Sequence, residues 1–303
     1  MTQDGMTRCF TTSGVRCCIA ESPASALDYI NGLTKSDFRG YDPLFERPDL
    51  HWIGRSDLKN QGVGTSKDVC LRIGEYVEKD HQQISSARNK LADLVDSIDL
   101  SQLKRMLQWS DSRGRVNATR LLQGDSHFRR TIRKSQAPVE AVALVVPTGA
   151  NCGVSAETIF ARTAVALAAS ELLQEAGFAV EVWAYAFTQG CYRDSKDKNG
   201  LAAMRLKSAD EPTNEAIAAS GGSAWWFRTG FFAMWSAQGD AKHSLGHSRN
   251  LTDNEVEVVR EAIGLEQAHL MRRAGDVSTV EAAIREGIED IKEALTKWVG
   301  NEQ

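Results

Sequence analysis

Apolar and polar positions divide this chain into segments of different period. From Cys9 to Ala20 the apolar residues alternate loosely, which predicts a short strand or two. Ser22 then caps a helix that opens at Pro23 and runs to about Gly32. Thr34 to Pro48 carries Gly40, Pro43 and Pro48 and reads as loop, and His51 to Gly54 as a short strand or turn. A helix is expected from near Ser66 and, after a break, to about Ile98, where Ile84, Leu91, Leu94, Val95 and Ile98 have helical spacing.

The middle of the chain is the most legible. Val139 to Val146 is an almost unbroken apolar run of strand length, the pattern of a strand buried on both faces. Ser155 caps an alanine-rich helix that stops at Gly177, and Phe178 to Phe187 is a second strand. Strand, crossover helix and strand predict a parallel βαβ unit. Beyond it, Ala202 to Lys207 alternates apolar and basic residues and reads as a strand nearer the sheet edge. Pro212 to Ser220 predicts a short helix, and Ser223 to Ala237 an aromatic helix carrying Trp225, Trp226, Phe227, Phe231, Phe232 and Trp235. Those aromatics surround most of the helix, which leaves both core packing and a partly exposed interaction face open. A helix capped by Thr252 or Asp253, a strand within Gln267 to Arg272 and an amphipathic helix over Ser278 to Val299 complete the pattern.

Composition narrows the partners. A 303-residue chain with 42% hydrophobic and 25% charged residues and a net charge of -4 can bury a sizeable core, and has no global attraction to nucleic acid or membrane. No apolar run approaches the roughly 20 residues of a membrane span, and no basic, apolar leader opens the chain, so a cytoplasmic location is expected. The cysteines at 9, 17, 18, 70, 152 and 191 lack paired spacing and read as free thiols. Locally the charge reverses. Between Lys104 and Lys134, Arg113, Arg115, Arg120, Arg129, Arg130 and Arg133 make a basic stretch, read either as a solvated, ion-paired face or as a nucleic-acid contact.

Few residues have the arrangement that chemistry needs. Cys152 precedes a helix, where a thiolate is favoured, but no base adjoins it, and it reads as a turn residue. His243 and His247 have helical spacing for a metal, yet the glycines around them indicate a loop and no further ligands complete a site. Lys207, Asp210 and Arg228 are expected to gather near the sheet edge as a groove.

Assembled in order, these elements resemble the von Willebrand factor A-like fold, most closely that of phage-encoded proteins of unknown function. The resemblance rests on Trp109-Ser110-Asp111 with Gly114, Arg120 to Asp125, Val145 to Val154 with the Asn151 to Ala156 turn, Glu171 to Tyr185, Leu206 to Pro212, and Phe227-Arg228 with Phe231. It extends from about Trp52 to Trp298. It implies an α/β, Rossmann-like fold with a mostly parallel sheet flanked by helices over residues 109–303, preceded by an α+β extension over residues 1–108. Metal-binding members carry a D-x-S-x-S loop after the first strand, because a hard divalent cation takes oxygen ligands there. Pro147, Gly149 and Asn151 stand in the equivalent positions here, so a metal-free site is implied, with no cofactor, and with Thr148, Asn151, Cys152 and Ser155 as its ligand or partner loop. The resemblance implies a phage-type accessory protein that binds another protein. A nucleic-acid-associated factor and an enzyme whose groups converge from separate loops are the alternatives.

Overall fold

In the computed structural model, the described residues are 6–97, 107–110, 115–116, 129–132, 142–150, 153–175, 178–193, 197–209, 211, 213–242, 250–265, 268–272 and 279–300. Strands β1 (Thr7–Thr12) and β2 (Val15–Ala20) form a hairpin, followed by α1 (Pro23–Gly32). Then come α2 (Leu50–Ile53), α3 (Ser66–Cys70) and α4 (Glu78–Ser97). Short strands β3 (Leu107–Ser110), β4 (Arg115–Val116) and β5 (Arg129–Ile132) make a separate sheet in the order β3-β5-β4. The centre is β6 (Val142–Pro147), α5 (Ala156–Glu175), β7 (Val180–Thr188) and β8 (Asn199–Lys207).

Helix α6 (Glu215–Gly221) leads into the aromatic helix α7, in which α-helical Ala224–Trp226 and Phe232–Ser236 flank a π-helical turn at Phe227–Phe231. The chain closes with α8 (Asp253–Ile263), β9 (Ala268–Leu270) and α9 (Val280–Gly300). No helix among the described residues is long and apolar enough to cross a membrane.

The main sheet has six strands in the order β1-β2-β8-β7-β6-β9. The β6–β7, β6–β9 and β2–β8 pairs are parallel, and β1–β2 and β7–β8 antiparallel. The expected βαβ unit is present, with Val142 beside Val180 and Pro147 beside Tyr185.

Both faces of the sheet are covered, which is why β6 and β7 read as unbroken apolar runs. With a side-chain period of two, Val142, Leu144 and Val146 enter one core and Ala143 and Val145 the other. The first core is the larger and takes in residues of α1, α3 to α7 and α9. The second is closed by Val258, Val259, Ala262 and Ile263 of α8. Residues 1–108, read as an extension, contribute β1 and β2 to this sheet and α1, α3 and α4 to its first core.

Two open readings are decided and one expectation is corrected. Residues 51–53 belong to a helical turn: the Asp49 carboxylate accepts from the His51 and Trp52 N–H groups at 3.0 Å, and Gly54 ends the turn at a φ of 87°. β8 is interior rather than near an edge, because β2 pairs along its far side. The aromatic helix offers no exposed apolar face: Trp225, Trp226, Phe227, Phe231 and Trp235 are buried and Phe232 partly so. It can be apolar nearly all round because sheet strands, α3, α5 and α6 all meet it.

Candidate functional site

The rim beyond the C-terminal end of β6 is where an open α/β sheet ordinarily holds a ligand. Thr148 is fully buried there, its N–H and its hydroxyl both donating to the Tyr185 carbonyl, at 2.8 and 3.1 Å. Ser155 caps α5, accepting from the Thr158 N–H at 3.1 Å, with the Thr158 hydroxyl 2.9 Å away. Asn151 and Cys152 lie outside the described residues, as do Asp210, His243, His247, Arg113, Arg120 and Arg133. Arg115 is placed on β4, and Arg129 and Arg130 on β5, with Arg115 opposite Arg130 in the ladder. Among the described residues no group of three His, Cys, Asp or Glu could hold a metal ion.

The expected groove does not form from its two described members. Lys207 is buried, its Nζ donating to the Val180 carbonyl at 2.7 Å and to that of Ser208 at 3.2 Å. Arg228 is also buried, its guanidinium 4.6 Å from the Trp52 ring centre and donating to the Trp52 and Val154 carbonyls, the latter at 2.8 Å. Val180 pairs with Val142 at the start of β6, whereas Val154 lies past its end. The two cations therefore sit at opposite ends of the parallel core, each bound to main-chain carbonyls.

What the rim does offer is a small open pocket beside the N-terminus of α5, about 30 Å³ in volume, lined by Arg55, Asp80, Ala156, Glu157 and Trp225 among others. Gly54 makes the approach possible. Besides its left-handed φ, a Cβ there would stand 2.5 Å from the Ala156 Cβ, so only glycine lets this turn lie against α5. Arg55, the next residue, is 2% exposed. Its Nη2 reaches Asp57 at 3.0 Å and Glu75 at 2.9 Å, its Nε reaches Asp57 at 3.1 Å, and its guanidinium lies 5.2 Å from the Trp225 ring centre.

Two donors in this pocket's lining, Arg55 Nη1 and Trp225 Nε1, are buried without a hydrogen-bond partner. Burial pushes the Asp80 carboxyl up to about 7; Arg55 and Lys79 oppose the rise, and Asp57 and Glu157 add to it. The lining thus combines two buried N–H donors that lack partners with one carboxyl raised to about 7. Four carboxyls nearby disfavour an anion. Arg55 and Asp80 were not singled out from the sequence, because a charged residue's burial depends on partners that the fold assembles; Trp225 was named only as one of the aromatic residues of its helix.

No curated protein and no solved structure matches the chain. A family described as a domain of unknown function, DUF7192, matches residues 58–289, which takes in Asp80, the whole central βαβ unit and α7. The chain belongs to that family.

Proposed function

We propose that this chain is a phage-type accessory protein whose von Willebrand factor A-like core binds another protein without a metal ion. The element order supports the A-like reading: strand, glycine-bearing turn, alanine-rich helix, strand, basic strand, short helix, aromatic helix and terminal helix come in that order, with α8 and β9 before the last. The observation that carries the function is the rim pocket, whose lining includes Arg55 and Trp225, each with a buried N–H, Nη1 and Nε1, that lacks a partner. A main-chain carbonyl or carboxamide tip from a partner fits that chemistry and, at about 30 Å³, that volume.

Affinity capture from phage-infected cells, followed by cross-linking at the exposed Lys79, tests this reading. The expected result is a partner retained in nuclease and in a metal chelator, and lost when the exposed Lys79–Glu157 pair is reversed in charge. Loss in chelator overturns the metal-free reading. Loss in nuclease favours the nucleic-acid reading, for which one observation speaks: Arg115 stands opposite Arg130 in the ladder, and like charges so placed are destabilising, a cost that a bound polyanion would relieve.

A further inference from the structure

The β1–β2 hairpin turns at Ser13-Gly14, whose φ values of 47° and 74° make a two-residue turn with both residues left-handed. The turn fixes the register, and the register sets Cys9 directly opposite Cys18. Counting from Thr12 opposite Val15, the pair type alternates, and Cys9–Cys18 falls on a non-hydrogen-bonded pair, whose Cα atoms stand about 4.5 Å apart. A disulfide spans Cα separations of about 4.4–6.8 Å, so no backbone movement is needed to form one. The side chains agree: the two Sγ atoms are 3.0 Å apart.

Their exposures differ in a useful way. Cys9 is exposed and lines a polar cleft of about 760 Å³ that also includes Tyr29, Arg16, Asp37, Arg39 and Gln238. Cys18 is fully buried beneath it in the first core. The neighbouring Cys17 enters the opposite core and does not compete.

The thiols also differ in acidity. A hydrogen bond from Cys18 draws Cys9 down to about 7; burial opposes this, and the Tyr29 hydroxyl assists. Burial, reinforced by Cys9, holds Cys18 well above the ordinary thiol range. Burial pushes Cys17, Cys70 and Cys191 up to about 12. Among these five thiols, Cys9 alone is substantially ionised at neutral pH.

We propose that Cys9 and Cys18 form a redox-active dithiol, Cys9 attacking and Cys18 resolving, that reacts with low-molecular-weight disulfides entering the cleft. The Cys9 thiolate attacks one sulfur of the disulfide RS–SR; that bond breaks, RS⁻ leaves, and Cys9 carries a mixed disulfide. Cys18 then loses its proton and attacks the Cys9 sulfur, forming the Cys9–Cys18 bond and expelling a second RS⁻. The two thiolates take up the protons released by Cys9 and Cys18. The protein has lost two electrons, and RS–SR has become two RSH.

The test uses the full chain carrying Cys152→Ala, incubated with oxidised glutathione. Trypsin cuts after Arg8, Arg16 and Lys35, so the product is peptide 9–16 linked to peptide 17–35, with fragmentation placing the bond on Cys18 rather than Cys17. Cys18→Ser should stop at a glutathione adduct on Cys9, and Cys9→Ser should not react. Because Cys18 is buried and its variant could misfold, the unsubstituted pair decides. Two thiols retained after incubation, or a lasting adduct on Cys9 with Cys18 free, overturns the proposal. Alkylation by iodoacetamide should be at least about tenfold faster at Cys9 than at the buried thiols near neutral pH. Equal rates overturn the attacking role of Cys9.

Discussion

Among the buried arginines of the described residues, Arg55 and Arg162 do different things. Arg162 of α5 is 1% exposed and reaches Asp290 of α9, itself 2% exposed, at 3.3 Å and Glu286 at 2.6 Å. Arg272 completes the cluster, its Nε 2.5 Å from Asp290. Burial draws the Arg162 guanidinium below its ordinary pKa, against the pull of Asp290 and Glu286. Arg55 is 2% exposed, but its acids, Asp57 and Glu75, are 52% and 41% exposed. One cluster has a buried anion and joins two helices through the core. The other keeps its anions at the surface, and its arginine belongs to the lining of an open pocket. A buried charge is thus not in itself a sign of function; what matters is where its counter-ions lie and what its remaining donors face.

The largest effect should come from breaking the first cluster. Asp290→Ala leaves Arg162 buried without its buried counter-ion and should cost about 3–5 kcal/mol of unfolding free energy, read from urea denaturation. Arg55→Met should cost only about 1–2 kcal/mol, because Asp57 and Glu75 stay solvated when it is gone and the loss is chiefly packing and two screened pairs. Equal losses would remove the distinction between the two clusters.

The second effect is a pH dependence confined to the rim. Asp80 faces Arg55, Lys79, Asp57 and Glu157, and its carboxyl titrates at about 7 in the folded chain, against about 3.9 for an unfolded aspartate. Between those values the folded state holds a proton that the unfolded state has released, so this group lowers stability as pH rises, with its full penalty above about pH 7 and none below about pH 4. Asp80→Asn should therefore be the more stable form at about pH 8, with the advantage shrinking toward about pH 5. A constant difference across that range would place the Asp80 titration elsewhere.

Much of the frame was legible because a strand buried on both faces and an alanine-rich helix buried nearly all round leave long apolar signatures, as β6, α5 and β7 do. Shorter signals were ambiguous or misleading. The four-residue turn α2 is set by the Asp49 cap and Gly54 rather than by any period. The basic residues of β8 suggested an edge, yet Lys207 buries its stem and satisfies its ammonium on carbonyls, so its charge was no sign of solvent. The site was less legible than the frame. Thr148, Ser155 and Arg228 sit at the rim as local anchors, whereas Arg55 meets Trp225 only after α2 and α7 are packed together. The facing of Cys9 and Cys18 follows from the Ser13-Gly14 turn, a signal present in the sequence but meaningful only once the hairpin register is fixed.

The smallest expected change in stability is the sharpest probe of the pocket. Trp225, Trp226 and Trp235 each bury an indole N–H without a partner, but of the three only Trp225 lines the rim pocket. Replacing any of them by Phe removes a buried, unsatisfied donor, a gain of about 1–3 kcal/mol, and leaves a smaller ring in a packed site, a loss of similar size. Net stability should thus move by no more than about 1 kcal/mol in each case. Binding of the captured partner should separate them. Trp225→Phe should weaken it about five- to tenfold, the worth of one direct hydrogen bond, while Trp226→Phe and Trp235→Phe leave it unchanged. If all three variants bind alike, the unpartnered indole of Trp225 is a packing compromise like the other two, and the rim pocket loses its claim to recognise anything.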